Sequence, residues 1–170
     1  MTDEHRLAPI HGDPVRGDWD ALQEDGLAAR LARAFGRSLY MRHIDVGSCN
    51  ACESEVLALS NPHYNFHRLG LFFAASPRHA DVLLVTGALT PAMKPVLREA
   101  YEAMPRPRIV LAAGVCALSG GVFAKSRQFM GPVDSVLPVD VYLPGCPPTP
   151  YALIRGLLTA VERRREVSRS

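Results

Sequence analysis

The chain has 170 residues, 48% of them hydrophobic, which is enough for the core of one domain. Its 19 Lys and Arg against 17 Asp and Glu leave a net charge of +2. Nucleic acid is excluded as a partner on that balance, because its recognition needs clustered positive charge.

Residues 1–20 mix charge and proline without an apolar core, and no two arginines adjoin there. Neither a secretory nor a twin-arginine signal is read. The longest near-apolar run, Ile109 to Ala124, is broken by Gly114, Ser119, Gly120 and Gly121 and is too short for a membrane span. The expectation is a cytoplasmic chain whose cysteines stay reduced, which favours metal binding over disulfides.

In chain order, residues 1–18 read as an extended arm. Trp19, Leu22, Leu27, Leu31 and Phe35 recur at roughly helical spacing, with Arg30, Arg33 and Arg37 between them. This predicts an amphipathic helix, packed on the chain's own core or docked on a partner or membrane surface. Residues 1–38 are thus set apart as arm and helix, and 39–170 as an α/β domain.

From Leu39, strand, loop and helix alternate. Leu39–Val46 is the first predicted strand, followed by a helix-like segment from Glu53 to Leu59. Leu69–Ala74 is a short apolar run, and Asp81–Thr86, Ile109–Ala113 and Val139–Leu143 are further strands. Thr90-Pro91 reads as a helix start with a capping hydroxyl, and Val96, Leu97, Ala100, Tyr101 and Met104 as that helix's inner stripe. Thr149-Pro150 caps a last helix with inner face Leu153, Ile154, Leu157, Leu158 and Val161; Arg163, Arg164 and Arg165 suit its dipole at the end. Such alternation predicts a parallel sheet with helices on both faces, whose ligands bind at the carboxyl ends of the strands.

The candidate site is four cysteines, each following a predicted strand. Cys49 and Cys52 sit three apart in Gly47-Ser48-Cys49-Asn50-Ala51-Cys52-Glu53-Ser54-Glu55. Both sulfurs can grip one centre from a tight turn or first helical turn, where backbone N–H groups favour thiolate. Cys116 and Cys146 are single and distant. Structural zinc usually takes two paired sets inside a small module, and a redox pair would leave two cysteines unexplained. The spacing therefore favours an iron–sulfur cluster, with zinc, a redox pair and buried free thiols as alternatives. Gly114 and Gly145 would let backbone approach the site, and Pro147-Pro148 would stiffen its last loop. Glu53 and Glu55 read by default as solvated surface acids, but beside four sulfurs two acids are electrostatically awkward, which raises the case for proton handling or an interface. His43, His63, His67 and His79 show no ligand spacing and read as structural or surface; Arg78 is a candidate to reach back to the site.

Several motifs together resemble one superfamily. They are Ser76-Pro77-Arg78-His79-Ala80-Asp81-Val82, Gly87-Ala88-Leu89-Thr90, Met104-Pro105-Arg106-Pro107, Gly114-Val115-Cys116, and the run from Pro138 to Pro148 containing Pro144-Gly145-Cys146-Pro147-Pro148. The superfamily contains the 20-kDa subunit of respiratory complex I and the small subunit of [NiFe] hydrogenases, and the resemblance covers roughly residues 39–160. It implies a flavodoxin-like α/β domain holding one [4Fe-4S] cluster with Cys49, Cys52, Cys116 and Cys146 as ligands. Glu55 matches an acidic position kept near that cluster, and a proton-relay role is expected of it. Complex I subunits have two adjacent cysteines where this chain has Cys49-Asn50-Ala51-Cys52, the hydrogenase spacing, although Ala51 stands where hydrogenases usually place glycine. Conventional hydrogenase small subunits carry a long C-terminal region with two more clusters, and often a twin-arginine signal. The resemblance is accordingly to the short small subunits of energy-converting hydrogenases, including formate hydrogenlyase.

Its implied role is electron transfer in a membrane-associated complex on the cytoplasmic side of the inner membrane. The implied partners are a hydrogenase-type large subunit, which would hold any Ni-Fe centre, a ferredoxin-like subunit and membrane subunits. The alternatives are a complex-I-like oxidoreductase whose large subunit lacks nickel, and a structural zinc protein.

Overall fold

The computed structural model describes residues 36–167, with side chains as far as Val161. The predicted helix Trp19–Phe35 and the arginines at 163–165 lie outside the described residues and side chains, as does nearly all of the predicted 1–38 unit.

Five parallel strands form one sheet: β1 (Leu39–Asp45), β2 (Leu71–Phe73), β3 (Val82–Thr86), β4 (Ile109–Ala113) and β5 (Val141–Leu143), in spatial order β2-β1-β3-β4-β5. Chain order is broken at β1, so crossovers run to both sides of it and the helices cover both faces. This is the flavodoxin-like α/β arrangement expected from the sequence. The central strands β3 and β4 are buried at every position, as continuous Val, Leu, Ile and Ala runs require when both faces are covered.

Alternate strand residues feed two separate cores. On one face Met41, Leu84, Leu111 and Leu143 pack against Val56 and Leu59, which belong to or follow helix α1 (Ala51–Ala58), and against α4 (Pro150–Val167). On the other, Ile44, Leu83, Val85 and Ala112 pack against Leu97, Ala100 and Met104, in and just after α2 (Met93–Ala103). The predicted inner face of α4 is buried at all five positions, from Leu153 to Val161. Thr149 caps it as expected, its Oγ1 accepting from Ala152 N–H at 3.3 Å.

Three local expectations are corrected. Val96 is 45% exposed, because the stripe of α2 follows 97, 100 and 104 and position 96 lies on its flank, about a fifth of a turn from its centre. Thr90 does not cap α2 with its hydroxyl. The hydroxyl and amide of Thr90 both donate to the Val46 carbonyl, each at 3.1 Å, tying the exit of β3 to the exit of β1. Strand β3 begins at Val82, since Asp81 turns its carboxylate back to accept from Tyr40 N–H at 3.0 Å and from the Arg37 guanidinium.

Arg78 lies in the 3₁₀ turn Pro77–His79 that leads into β3, at the amino end of the sheet. It is exposed there, on the edge opposite the cysteines, and does not reach them.

Candidate functional site

Parallel register puts Asp45, Thr86, Ala113 and Leu143 in one row across the sheet, each the last residue of its strand. Cys49 follows that row after β1, Cys116 after β4 and Cys146 after β5. All four cysteines therefore stand at the carboxyl edge, where open parallel sheets bind ligands. Cys52 and Cys116 are buried, and Cys49 and Cys146 are exposed.

Backbone bonds stitch these loops in pairs. Ala88 N–H donates to the Gly47 carbonyl at 2.9 Å, joining the loops after β1 and β3. Gly114 N–H donates to Leu143 O at 2.9 Å and Val115 N–H to Gly145 O at 2.8 Å, joining those after β4 and β5. Between the pairs lies a contact only glycine allows. Gly114 has φ +89°, and a Cβ on it would stand 2.6 Å from Cys52 Sγ. The missing side chain is what gives the Cys52 sulfur its room.

Cys116 sits in the first turn of the short helix α3 (Val115–Ser119). Gly121 crowds it from outside, since a Cβ there would come 3.2 Å from Cys116 Sγ. The Cys146–Pro147 peptide is cis.

The turn carrying Cys49 and Cys52 is built on Asp45, a residue the sequence reading passed over. One carboxylate oxygen accepts from Gly47 N–H at 2.9 Å, and the other accepts from Ser48 Oγ at 2.9 Å. Ser48 Oγ in turn accepts from Asn50 N–H at 3.0 Å. Asn50 takes φ +72° at the entry to α1, a conformation asparagine tolerates better than most residues. The motif Asp-Val-Gly-Ser was the available signal: a strand-ending carboxylate followed by small residues is a side-chain-capped turn.

Charge at the site departs from expectation. The helix start was expected to favour thiolate, yet burial, followed by the neighbouring Cys116, Cys49 and Cys146, pushes the Cys52 thiol up to about 11. Cys116 is raised by burial and by Cys146 and Cys49. Cys49 and Cys146 act on both buried thiols, so the four sulfurs share one electrostatic neighbourhood. As thiolates they need a cationic centre among them. Among the described residues, no three His, Cys, Asp or Glu side chains are gathered closely enough to hold a single metal ion, whereas a cluster of several irons spreads its four thiolates more widely.

Glu55 and Glu53 are both half-buried. Glu53 lines a groove of about 330 Å³ with Arg42, His43, Leu57 and Phe73. Glu55 is three residues from Cys52 in α1, which puts the two on neighbouring sides of the helix.

His43 is structural, as read: its ring Nε2 and the buried Thr86 hydroxyl are 2.9 Å apart. Burial lowers its pKa below 6.5, Asp45 opposes this, and Arg42 adds to it. A histidine depressed in the folded state contributes stability above 6.5 that is lost as pH falls toward the folded value. Thermal unfolding should therefore occur at lower temperature at pH 5.5 than at pH 7.5. His43→Gln, which cannot titrate, should narrow that gap; a gap of unchanged size would locate the dependence elsewhere.

A parallel five-stranded sheet with helices on both faces, four cysteines at its carboxyl edge, defines a flavodoxin-like α/β domain. The profile of the NADH ubiquinone oxidoreductase 20 Kd subunit family matches residues 49–160, and the chain belongs to that family. It is thereby an oxidoreductase subunit.

Among curated relatives, it is 43% identical over 135 residues to the probable membrane-bound hydrogenase subunit mbhJ of Pyrococcus furiosus, covering 79% of this chain and 81% of the relative. It is 42% identical to formate hydrogenlyase subunit 7 of Escherichia coli, again over 79% of this chain but only 53% of the relative. Among solved structures it is 32% identical to a chain of the membrane-bound sulfane sulfur reductase, an archaeal respiratory membrane complex, with TM-score 0.66 and coverage of 81% and 77%. A chain of an NAD⁺-reducing [NiFe]-hydrogenase shares the fold at 22% identity and TM-score 0.57, covering 72% of this chain and 92% of that one. Among the described residues, no helix is long and apolar enough to cross a membrane.

Proposed function

We propose that Cys49, Cys52, Cys116 and Cys146 hold one [4Fe-4S] cluster, and that the chain is the electron-transfer small subunit of a membrane-associated [NiFe] hydrogenase. The observation that carries this is the convergence of four thiol-bearing loops at one sheet edge, with Gly114 leaving clearance for the Cys52 sulfur. When bound, such a cluster supplies one-electron transfer.

The chain's own residues supply the rest. Buried Cys52 and Cys116 fix the inner side of the site, and exposed Cys49 and Cys146 its outer side. The relatives' descriptions as membrane-bound hydrogenase and formate hydrogenlyase subunits support the same assembly. Membrane and ferredoxin-like subunits are the further partners proposed for it. Within it the chain is peripheral, on the cytoplasmic side of the inner membrane.

A second reading, a complex-I-like oxidoreductase whose large subunit lacks nickel, is favoured by the 32% identity to the sulfane sulfur reductase chain. Purifying the intact complex through a tag on this chain separates the two. Nickel in the co-purified large subunit, with hydrogen-dependent dye reduction, supports the hydrogenase; a nickel-free large subunit that does not oxidise hydrogen supports the alternative.

Glu55 is proposed as the proton relay on the cluster side of α1. Glu55→Gln keeps shape and hydrogen bonding but carries no proton. It should retain iron and slow proton-coupled turnover of the complex by about tenfold or more, with Glu53→Gln slowing it less. Wild-type turnover in Glu55→Gln with its iron intact would make Glu55 a solvated surface acid.

A further inference from the structure

We infer that Asp45 is a positioning residue for the four-thiol site: its carboxylate fixes the Cys49–Cys52 turn and sets negative charge beside the centre, which lowers the centre's reduction potential. The inference rests on the proposed reading that the thiols hold an iron–sulfur cluster.

The geometry has three parts. Asp45 ends β1 in the same row as Ala113 and Leu143, whose following loops carry Cys116 and Cys146. Both its oxygens accept from the turn, one from Gly47 N–H and one from Ser48 Oγ, and Ser48 passes the constraint to Asn50 N–H. Gly87 closes the seat from the β3 side. A Cβ there would stand 2.6 Å from Asp45 Oδ1 and 2.7 Å from Gly47 C and Ser48 N.

Both donors to Asp45 are neutral, and among the described residues no cation is bonded to it. Its charge is therefore not cancelled. That charge lies beside the ligands, since the carboxylate is bonded into the turn that carries Cys49 and Cys52. Reducing a cluster adds one negative charge to it, and a nearby carboxylate opposes the addition. Outer residues that both orient ligands and tune a metal's electronics are general in such sites.

The test uses the intact complex from wild type, Asp45→Asn and Ser48→Ala. Iron and sulfide are counted first, and the midpoint potential is then measured by redox titration followed by electron paramagnetic resonance. Asparagine keeps an acceptor for Gly47 and loses the charge, so D45N should hold wild-type iron at a more positive potential. The difference should shrink as salt is raised, which a purely structural role would not produce. Ser48→Ala removes a donor that partly neutralises the carboxylate and should move the potential the other way.

D45N with full iron and the wild-type potential overturns the inference. If D45N loses its iron, S48A decides: a potential unmoved or more positive overturns the inference, and a more negative one upholds it. Wild-type protein without iron and sulfide would instead overturn the proposed function, and it would be seen before any variant is compared.

Discussion

Replacing Cys116 by serine should abolish the [4Fe-4S] cluster and unfold the carboxyl edge of the sheet around it. Cys116 is buried, in the first turn after β4, and its surroundings were shaped for a sulfur. Gly121 packs against that sulfur on one side, and its hydrogen-bonded neighbour Gly120 N–H closes back on the Cys116 carbonyl at 2.9 Å. Serine is smaller, harder and a poor iron ligand at neutral pH.

Because ligation is also folding free energy, the loss should exceed that of an ordinary core substitution, on the order of 4 kcal/mol or more. Iron content and thermal unfolding of the purified variant check it. A Cys116→Ser chain with wild-type iron, sulfide and melting temperature would remove Cys116 from the ligand set. Cys146 is exposed, so its serine variant should lose the cluster with a smaller effect on the metal-free fold.

The second large effect is expected at Gly114, from a single methyl group. Alanine there meets two penalties. Its φ of +89° is one L side chains rarely adopt, costing about 1–3 kcal/mol. Its Cβ would also stand 2.6 Å from Cys52 Sγ. The cheapest relief is rotation of the Cys52 side chain, but that swings the sulfur away from the other three. The backbone cannot yield instead, because Gly114 N–H is held by Leu143 O and the next amide by Gly145 O.

Gly114→Ala should therefore fold less stably and hold little or no iron. Gly36→Ala provides the comparison, with φ +65° and no described residue within 4 Å of the added methyl. It carries backbone strain alone, and should lose some stability while retaining iron. Equal iron in the two alanine variants would show that Gly114 makes no room for a ligand sulfur.

Much of this site was legible in the sequence because its signals are local. A buried strand reads as a short Val, Leu and Ile run, and the turn residues after it place the cysteines. Those two facts put Cys49, Cys116 and Cys146 at one edge before any coordinates. The final helix was legible for the same reason, its apolar stripe and its Thr149 cap both lying within a few residues.

What was missed depends on pairs distant in the chain. Asp45 matters because Gly87 packs against it from a neighbouring strand, and no periodicity links positions 45 and 87. Thr90 carries the side chain of a helix cap, but its hydroxyl joins its own amide on the Val46 carbonyl just past β1 instead. Arg78, after a Ser-Pro break, was a candidate to reach back to the site, but strand direction decides such questions, and the turn before β3 lies at the other end of the sheet. Thiolate at the start of α1 was expected from the local dipole, which takes no account of burial and three neighbouring sulfurs.

The central claim is that four thiols hold one four-iron cluster, and metal analysis tests it most directly. Anaerobically purified complex, quantified against this chain, should account for about four iron and four acid-labile sulfide attributable to it, all lost in Cys116→Ser. One equivalent of zinc without sulfide, or an iron content that Cys116→Ser leaves unchanged, would contradict it.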